Sequence, residues 1–130
     1  MIKKVNHIGI AVRNLETAIE QYKKLGFTVD SVEELPEFSC KMAFLPCGET
    51  LIELIEPIGS AVKYFETKDE GLHHICYEVD DIHAAFDAVG KVLPTREAAP
   101  VAGAGNTRVF FVEPEHMCNV ETEFAELPKE

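Results

Sequence analysis

The stretch HIGIAVRNLETAI at residues 7–19 recurs without gaps as HICYEVDDIHAAF at residues 74–86. Each copy starts with a histidine, continues as a strand pattern and then carries apolar residues at helical spacing. Asn14 and Asp81 stand just before the two helical stretches, and both residue types favour the N-cap position. The recurrence predicts an internal duplication in which each copy begins with a strand followed by a helix.

The duplication continues beyond the two helices. The segment MAFLP at residues 42–46 lies over VFFVE at 109–113 with the same spacing as the first match. Further on, IEL at 52–54 lies over TEF at 122–124, after a short insertion in the second copy. We therefore predict an α+β fold of two βαβββ modules side by side, whose mixed, curved sheet encloses a cleft.

The two modules and their connector have predicted limits. The first module, about residues 1–57, is expected to hold a helix at 15–25 and strands at 4–12, 28–35, 40–46 and 50–56. The second module, about residues 71–130, is expected to hold a helix at 82–91 and strands at 71–79, 92–98, 107–113 and 119–126. A connector at 58–70, with a short helix at 60–67, joins them into a single domain.

The composition is that of an ordinary globular protein and excludes some partners. Of 130 residues, 46% are hydrophobic and 27% are charged, and the net charge is −11. No basic run is present to neutralise phosphates, so nucleic acid is not an expected partner. The apolar run at the N-terminus is too short for a membrane span or a secretion signal, so we expect no membrane association and a cytoplasmic location.

The four cysteines do not have the spacing of a metal site. Cys40, Cys47, Cys76 and Cys118 form no C-x-x-C pair and lie mostly inside apolar stretches. We expect buried thiols that form no disulfides, which is the usual state of cysteine in a cytoplasmic protein.

Strand alternation selects which histidines face the cleft. In the first strand Ile10 and Val12 share a face suited to packing under the helix, so His7 lies on the opposite face. In the second copy the same alternation places His74, and not its neighbour His73, at the equivalent position. His7 and His74 are therefore expected to point into the same cleft, whereas His73 has no expected chemical role.

Two glutamates complete the predicted site. Glu53 interrupts the apolar run of the last strand in the first module, and Glu123 falls at the duplicated position in the second. Burying such carboxylates and imidazoles on one face is costly unless they share a partner. We therefore predict that His7, Glu53, His74 and Glu123 bind one divalent metal ion, with Co, Ni, Mn and Zn as candidates.

The chain resembles the vicinal oxygen chelate superfamily (glyoxalase/bleomycin resistance), and within it the methylmalonyl-CoA epimerases. The GLHHICYEVDDI block is the most specific part of this resemblance. The matching stretches cover most of the chain: VNHIGIAVRNLETAIEQYKKLGF, LPEFSCKMAFLPCGETLIELIEP, EGLHHICYEVDDIHAAF and GAGNTRVFFVEP. The resemblance implies a glyoxalase-like fold with a metal-binding cleft, and it implies the same four metal ligands.

The resemblance also implies a reaction. Such an enzyme abstracts a proton next to a carbonyl, through a metal-stabilised enolate. Some family members have a glutamate, proposed as the base, where this chain has Met42, which cannot transfer protons. The base is then expected to be Glu53, Glu123 or Glu121; we prefer Glu123 and name Glu123 and Glu53 as the catalytic residues.

Two other functions remain open at this stage. A glyoxalase I would act on a thiol hemithioacetal with the same ligand set, although Ala11 replaces an arginine that is frequent in glutathione-using relatives. A non-catalytic small-molecule-binding protein of the same fold is the other alternative. The expected partners are thus an acyl-CoA or a thiol adduct, together with a second copy of the chain in a homodimer.

Overall fold

The structure is a computed structural model and describes residues 1–129. In chain order, the strands are β1 (Ile2–Ala11), β2 (Ser31–Leu35), β3 (Cys40–Cys47), β4 (Thr50–Pro57), β5 (Gly71–Val79), β6 (Val101–Ala102), β7 (Arg108–Val112) and β8 (Glu121–Glu126). The α-helices in the same range are α1 (Leu15–Lys24), α2 (Tyr64–Thr67) and α3 (Ile82–Gly90). None of the helices within residues 1–129 is long and apolar enough to cross a membrane.

The described chain divides into two compact units. We call residues 7–73 the N-terminal unit, and residues 1–6 with 74–129 the C-terminal unit. The strands of the N-terminal unit pair in the order β2-β3-β4-β1, where β1 and β4 are parallel and the other pairs are antiparallel. The C-terminal unit repeats this arrangement as β6-β7-β8-β5, with β5 and β8 parallel. The predicted α+β class and βαβββ order are confirmed, while the module limits and the single domain stay predictions.

Each unit has its own hydrophobic core under its longer helix. In the N-terminal unit, Leu15 and Ala18 of α1 pack with Ala43, Leu45 and Leu54 of the strands. In the C-terminal unit the core is formed by Val79, Ile82, Ala85, Val89, Phe110, Val112 and Phe124. Ile10 and Val12 belong to the first core, and Tyr77 and Val79 to the second, so the predicted strand faces are confirmed.

The predicted caps of α1 and α3 are confirmed. The side chain of Asn14 accepts a hydrogen bond of 2.9 Å from the Thr17 N–H. Asp81 accepts two such bonds, from the N–H groups of His83 and Ala84. Both caps satisfy backbone donors that have no partner inside the helix.

The connector packs against the start of α1 inside the N-terminal unit. Its predicted short helix is present as a turn of 3-10 helix followed by α2. Arg13 donates its N–H to Glu70 at 2.7 Å, and the guanidinium of Arg13 lies 4.3 Å from the ring centroid of Phe65. His73 lies with its ring centroid 5.3 Å from that of Tyr64, so it packs against the connector helix.

The predicted strand at 92–98 is wrong. Pro94 removes a ladder donor, and the segment makes isolated contacts with β7 instead of a ladder. The Arg96 N–H donates to the carbonyl of Phe111, but the Phe111 N–H donates to the side chain of Glu97. Because a side chain occupies the place of a backbone acceptor, no continuous pairing forms here. The edge strand in the described C-terminal unit is β6, at Val101–Ala102.

The first residues of the chain belong to the C-terminal unit. Lys3 Nζ lies 3.2 Å from Oε2 of Glu78, which is on β5. The Lys3 side chain is largely exposed, whereas Glu78 is buried. This ion pair gives a buried carboxylate a charged partner, which lowers the cost of burying it.

The expectation of buried thiols holds for half of the cysteines. Cys40 and Cys76 are buried within strands, while Cys47 and Cys118 are exposed. Cys47 ends β3 at a tight turn, and Cys118 lies in a turn with a positive φ of 55°. Gly48 and Asn119, which follow these two cysteines, favour turns, and this signal was not used in the prediction. All four are thiols without a disulfide.

Candidate metal centre

His7 and Glu53 form a pair inside the N-terminal unit. His7 is on β1 and Glu53 is on β4, and the parallel register places Glu53 beside Gly9. Since residues two apart on a strand share a face, Glu53 and His7 lie on the same side of the sheet. His7 Nε2 is 3.6 Å from Glu53 Oε2, and their side chains are 13% and 8% exposed. The structure therefore brings these two predicted ligands together.

His74 and Glu123 form the corresponding pair inside the C-terminal unit. The parallel register of β5 and β8 places Glu123 beside Cys76, two residues beyond His74. His74 Nε2 is 3.3 Å from Glu123 Oε1, and the side chains are 7% and 13% exposed. The second pair repeats the strand positions of the first and its contact between Nε2 and a carboxylate oxygen, and all four side chains are largely buried.

The core fixes the direction of both glutamates. Ile52 and Leu54 pack into the N-terminal core, so Glu53 between them points to the other face of β4. Phe124 packs into the C-terminal core, and Glu123 before it likewise points away. An imidazole and a carboxylate from adjacent strands consequently meet on the strand face opposite each core.

A phenylalanine lies opposite each glutamate. Across the antiparallel hairpins, Phe44 pairs with Glu53 and Phe111 pairs with Glu123. These two aromatic residues were not predicted as part of the site. The signal was present, because the two phenylalanines occupy equivalent places in the repeated segments. Each carboxylate therefore has an apolar side chain beside it on the neighbouring strand.

The carboxylate of Glu53 affects the pKa of a neighbouring thiol, Cys40. Burial raises the pKa of Cys40, and the carboxylates of Glu53 and Glu37 raise it further. A raised pKa keeps the thiol neutral at neutral pH, and a neutral thiol is a poor metal ligand. The imidazole and carboxylate groups are thus the donors that this part of the unit offers.

A charged cluster at Arg96, Glu113 and Glu121 lies next to the second pair. Arg96 donates from Nε to Glu113 Oε1 and from Nη2 to Glu121 Oε1, with a further contact of 3.3 Å from Nη2 to Glu113 Oε2. Burial alone would lower the pKa of Arg96, but the hydrogen bonds to both glutamates outweigh it and raise the pKa. The Arg96 hydrogen bond lowers the pKa of Glu113. Arg96 was not predicted as a site residue, since it lies in the segment predicted as a strand.

The two glutamates of the Arg96 cluster have no charged counterparts in the first copy. Glu121 is the strand partner of His74, and the matching partner of His7 is Leu51. Glu113 falls at the position of Pro46 in the first copy. The N-terminal unit thus has uncharged residues where the C-terminal unit has these two glutamates.

The donor set of each pair fits a divalent cation. Imidazole nitrogen and carboxylate oxygen are ligands of Zn, Co, Ni and Mn, whereas calcium prefers oxygen alone. Each pair is buried enough to need a charged partner for its carboxylate. His7, Glu53, His74 and Glu123 can therefore each contribute one ligand atom.

The chain is similar to known proteins over most of its length. Residues 6–111 match the family model described as Glyoxalase/Bleomycin resistance protein/Dioxygenase superfamily. The chain is 40% identical over 134 aligned residues to a Cereibacter sphaeroides protein named ethylmalonyl-CoA/methylmalonyl-CoA epimerase, covering 95% of this chain and 98% of that protein. It is 38% identical to the human mitochondrial methylmalonyl-CoA epimerase, covering 85% of this chain and 66% of the human protein.

A solved structure is also similar. A variant of Streptomyces coelicolor methylmalonyl-CoA epimerase, in complex with 2-nitronate-propionyl-CoA, matches with a TM-score of 0.86 and 26% identity. That match covers 99% of this chain and all of the Streptomyces chain. From the matched family model and these relatives, we conclude that the chain belongs to the glyoxalase/bleomycin resistance protein/dioxygenase superfamily.

Proposed function

We propose that this protein is a metal-dependent isomerase that epimerises methylmalonyl-CoA or a similar acyl-CoA. The observation that carries the proposal is the His–Glu pair that recurs at the same strand positions in both units. The names of the two curated relatives, both epimerases of this substrate class, support the substrate assignment. The ligand in the Streptomyces structure is a propionyl-CoA derivative, which agrees with an acyl-CoA substrate.

We propose His7, Glu53, His74 and Glu123 as the metal ligands. The donor chemistry, the burial and the repeated pairing of these side chains support this assignment. When bound, a divalent cation would supply Lewis-acid polarisation of the carbonyl oxygens next to the reacting carbon. Co, Ni, Mn and Zn all fit two imidazoles and two carboxylates, so the identity of the metal stays a prediction.

We propose Glu123 as the group that accepts the proton. Its carboxylate lies beside His74 on the strand face opposite the core, and a carboxylate beside the proposed metal ligands is a suitable general base. Inversion requires a proton to return on the opposite face of the carbon, and Glu53 is the equivalent carboxylate of the N-terminal unit. Glu121 is less suited to this role because Arg96 holds its carboxylate in an ion pair.

The epimerase is favoured over the alternatives. The curated relatives reported above are named for epimerase activity, which makes glyoxalase I the less favoured reaction. They are enzymes, which disfavours a non-catalytic binding protein. The homodimer and the cytoplasmic location remain predictions; light scattering during gel filtration would measure the first.

Hydrogen exchange with solvent tests the proposed reaction. Methylmalonyl-CoA is incubated in D₂O with protein saturated in Co²⁺, and deuterium at the carbon between the carbonyls is followed by mass spectrometry. We expect rapid incorporation by the native protein and a loss of about 100-fold or more in Glu123→Gln, because a general base contributes a factor of that order. His83→Gln is the matched control, since His83 is exposed on α3.

Two outcomes would contradict this proposal. The first is the absence of exchange under conditions in which a known epimerase is active. The second is efficient conversion of methylglyoxal and a thiol to a lactoyl thioester, which would favour the glyoxalase I reaction instead.

A further inference from the structure

The second copy carries a further carboxylate, Glu121, close to the proposed metal ligand His74. Glu121 lies on the same strand face as Glu123 and is the strand partner of His74. A carboxylate oxygen of Glu121 and a ring nitrogen of His74 lie within 4.8 Å. By donor type and distance, Glu121 is therefore equipped to bind the same cation as His74.

The first copy has no such competitor at this position. Leu51 is the strand partner of His7 and offers no ligand atom. At this strand position the N-terminal unit therefore has no second carboxylate beside the His7–Glu53 pair. In the C-terminal unit, β8 carries two carboxylates on the same face, Glu121 and Glu123. A further contact is needed there if Glu123 alone is to pair with His74.

Arg96 supplies this contact. Its Nη2 group donates to Glu121, while Nε and Nη2 contact Glu113, so the guanidinium bridges the two carboxylates. Guanidinium–carboxylate contacts are directional and stronger than neutral hydrogen bonds. Glu121 therefore has a cationic partner, the guanidinium of Arg96.

Arg96 is itself fixed by Phe111, the residue opposite Glu123. The Arg96 Cζ atom lies 4.5 Å from the Phe111 ring centroid, and the Arg96 N–H donates to the Phe111 carbonyl. Glu97 accepts the Phe111 N–H at 2.8 Å. The backbone and ring contacts hold the guanidinium in one place, as expected for a cation stacked on an aromatic face.

We propose that Arg96 is a positioning residue that keeps Glu121 out of the metal ligand set, so that Glu123 is the carboxylate partner of His74. This inference rests on the proposed metal site. It assigns the Arg96 cluster a role in selecting the ligands, and it explains why a second glutamate is compatible with the site. Outer groups that orient ligands typically change metal affinity or activity by 10–100-fold when they are removed.

Cobalt spectroscopy tests this role without relying on activity. Metal-depleted protein is titrated with Co²⁺, and the visible absorption bands, which depend on the number and type of ligands, are recorded. In Arg96→Ala we expect an altered spectrum, because Glu121 then joins the ligand set. In the double variant Arg96→Ala with Glu121→Leu, which copies Leu51, we expect the native spectrum to return.

Two further variants make the test independent of the folding of Arg96→Ala. Glu121→Leu alone is expected to leave the cobalt spectrum unchanged, since Arg96 keeps Glu121 from the metal in the native protein. Arg108→Ala is the matched control, because Arg108 is an exposed arginine of the same unit whose side chain donates to the Pro100 carbonyl. Its spectrum is expected to match that of the native protein.

Kinetics provide a second measurement in the same variants. We expect kcat of Arg96→Ala to fall by about 10-fold or more, with recovery in the double variant. Thermal unfolding of each metal-depleted variant separates this effect from a loss of folding, because Glu121→Leu also removes the unpaired carboxylate that Arg96→Ala leaves. An unchanged spectrum in Arg96→Ala, a spectrum that Glu121→Leu fails to restore, or an altered spectrum in Glu121→Leu alone would each overturn the inference. Absence of Co²⁺ binding by the native protein would overturn the proposed metal site as well.

Discussion

His74 Nε2 lies 3.3 Å from Glu123 Oε1, and the two side chains come from adjacent parallel strands. Both are largely buried, so neither group is well hydrated. A buried carboxylate beside an imidazole is costly when one partner is removed, and a divalent cation would satisfy both groups. The stability of the protein should accordingly depend on metal.

Metal binding is expected to stabilise the folded chain. At a Co²⁺ concentration about 100 times Kd, the free energy of unfolding should rise by about 2.7 kcal/mol, because the ion binds the folded state alone. His74→Ala should lose most of this increase. Thermal unfolding with and without Co²⁺, followed by circular dichroism, measures it. His83→Ala, on the exposed face of α3, should keep the full increase; an equal increase in His74→Ala would exclude this residue as a ligand.

The N-cap of α3 is expected to contribute measurably to stability. Asp81 accepts hydrogen bonds from two backbone N–H groups, so Asp81→Ala should lower the free energy of unfolding by about 1 kcal/mol. Urea unfolding measures the change. Asp87→Ala is the control, because Asp87 is an exposed residue of the same helix. Equal unfolding midpoints for the two variants would show that the cap adds nothing.

Phe110 is expected to be the most sensitive position of the C-terminal core. It is fully buried, stacks on Phe124 with ring centroids 4.8 Å apart, and meets the edge of Phe86. Phe110→Ala should lower the free energy of unfolding by about 3–5 kcal/mol, through lost burial and the cavity left behind. Phe38→Ala, at a largely exposed phenylalanine, should change it by less than about 1 kcal/mol. Chemical unfolding of both variants checks the contrast.

Glu113 is expected to add stability that disappears in acid. The Arg96 hydrogen bond lowers the pKa of Glu113 below its ordinary value of 4.5. Its contribution is therefore present above pH 4.5 and is lost as the pH falls through the lowered pKa. The side chain is 41% exposed, so solvent screening limits the effect to less than about 1 kcal/mol.

A comparison of native protein with Glu113→Gln measures this contribution. The difference in free energy of unfolding should be largest at neutral pH and should shrink below pH 4.5, because the variant lacks the titrating group. A difference that grows on acidification would contradict the assignment.

The fold and the two His–Glu pairs could be predicted because both depend on short-range patterns. The alternation of each strand places His7 and His74 opposite the helix-facing residues, and a helical stripe follows each strand. The recurrence of Glu53 as Glu123 then identifies the partners. Their joint role as metal ligands stays a prediction, since it depends on chemistry beyond the two pairs.

The Arg96 cluster could not be predicted for a physical reason. Arg96 contacts Glu113 and Glu121, which are distant in sequence, and no local pattern encodes such contacts. Residues 92–98 were predicted as a strand from their local composition. The strand does not form because Pro94 lacks a backbone donor and because the side chain of Glu97 accepts the Phe111 N–H. Cys47 and Cys118 were misjudged, because the residues that follow them, Gly48 and Asn119, favour turns and both cysteines are exposed there.

The contact between Lys3 and Glu78 has a consequence for the order of events during synthesis. The N-terminal unit is one continuous segment and is complete as soon as residue 73 has left the ribosome. Residues 1–6 are made before residues 7–73, yet their partners in the C-terminal unit, such as Glu78, are made later. Since units generally fold as they emerge, residues 1–6 wait for these partners while the N-terminal unit folds. The segment that precedes the N-terminal unit in the chain thus reaches its native contacts after that unit has folded.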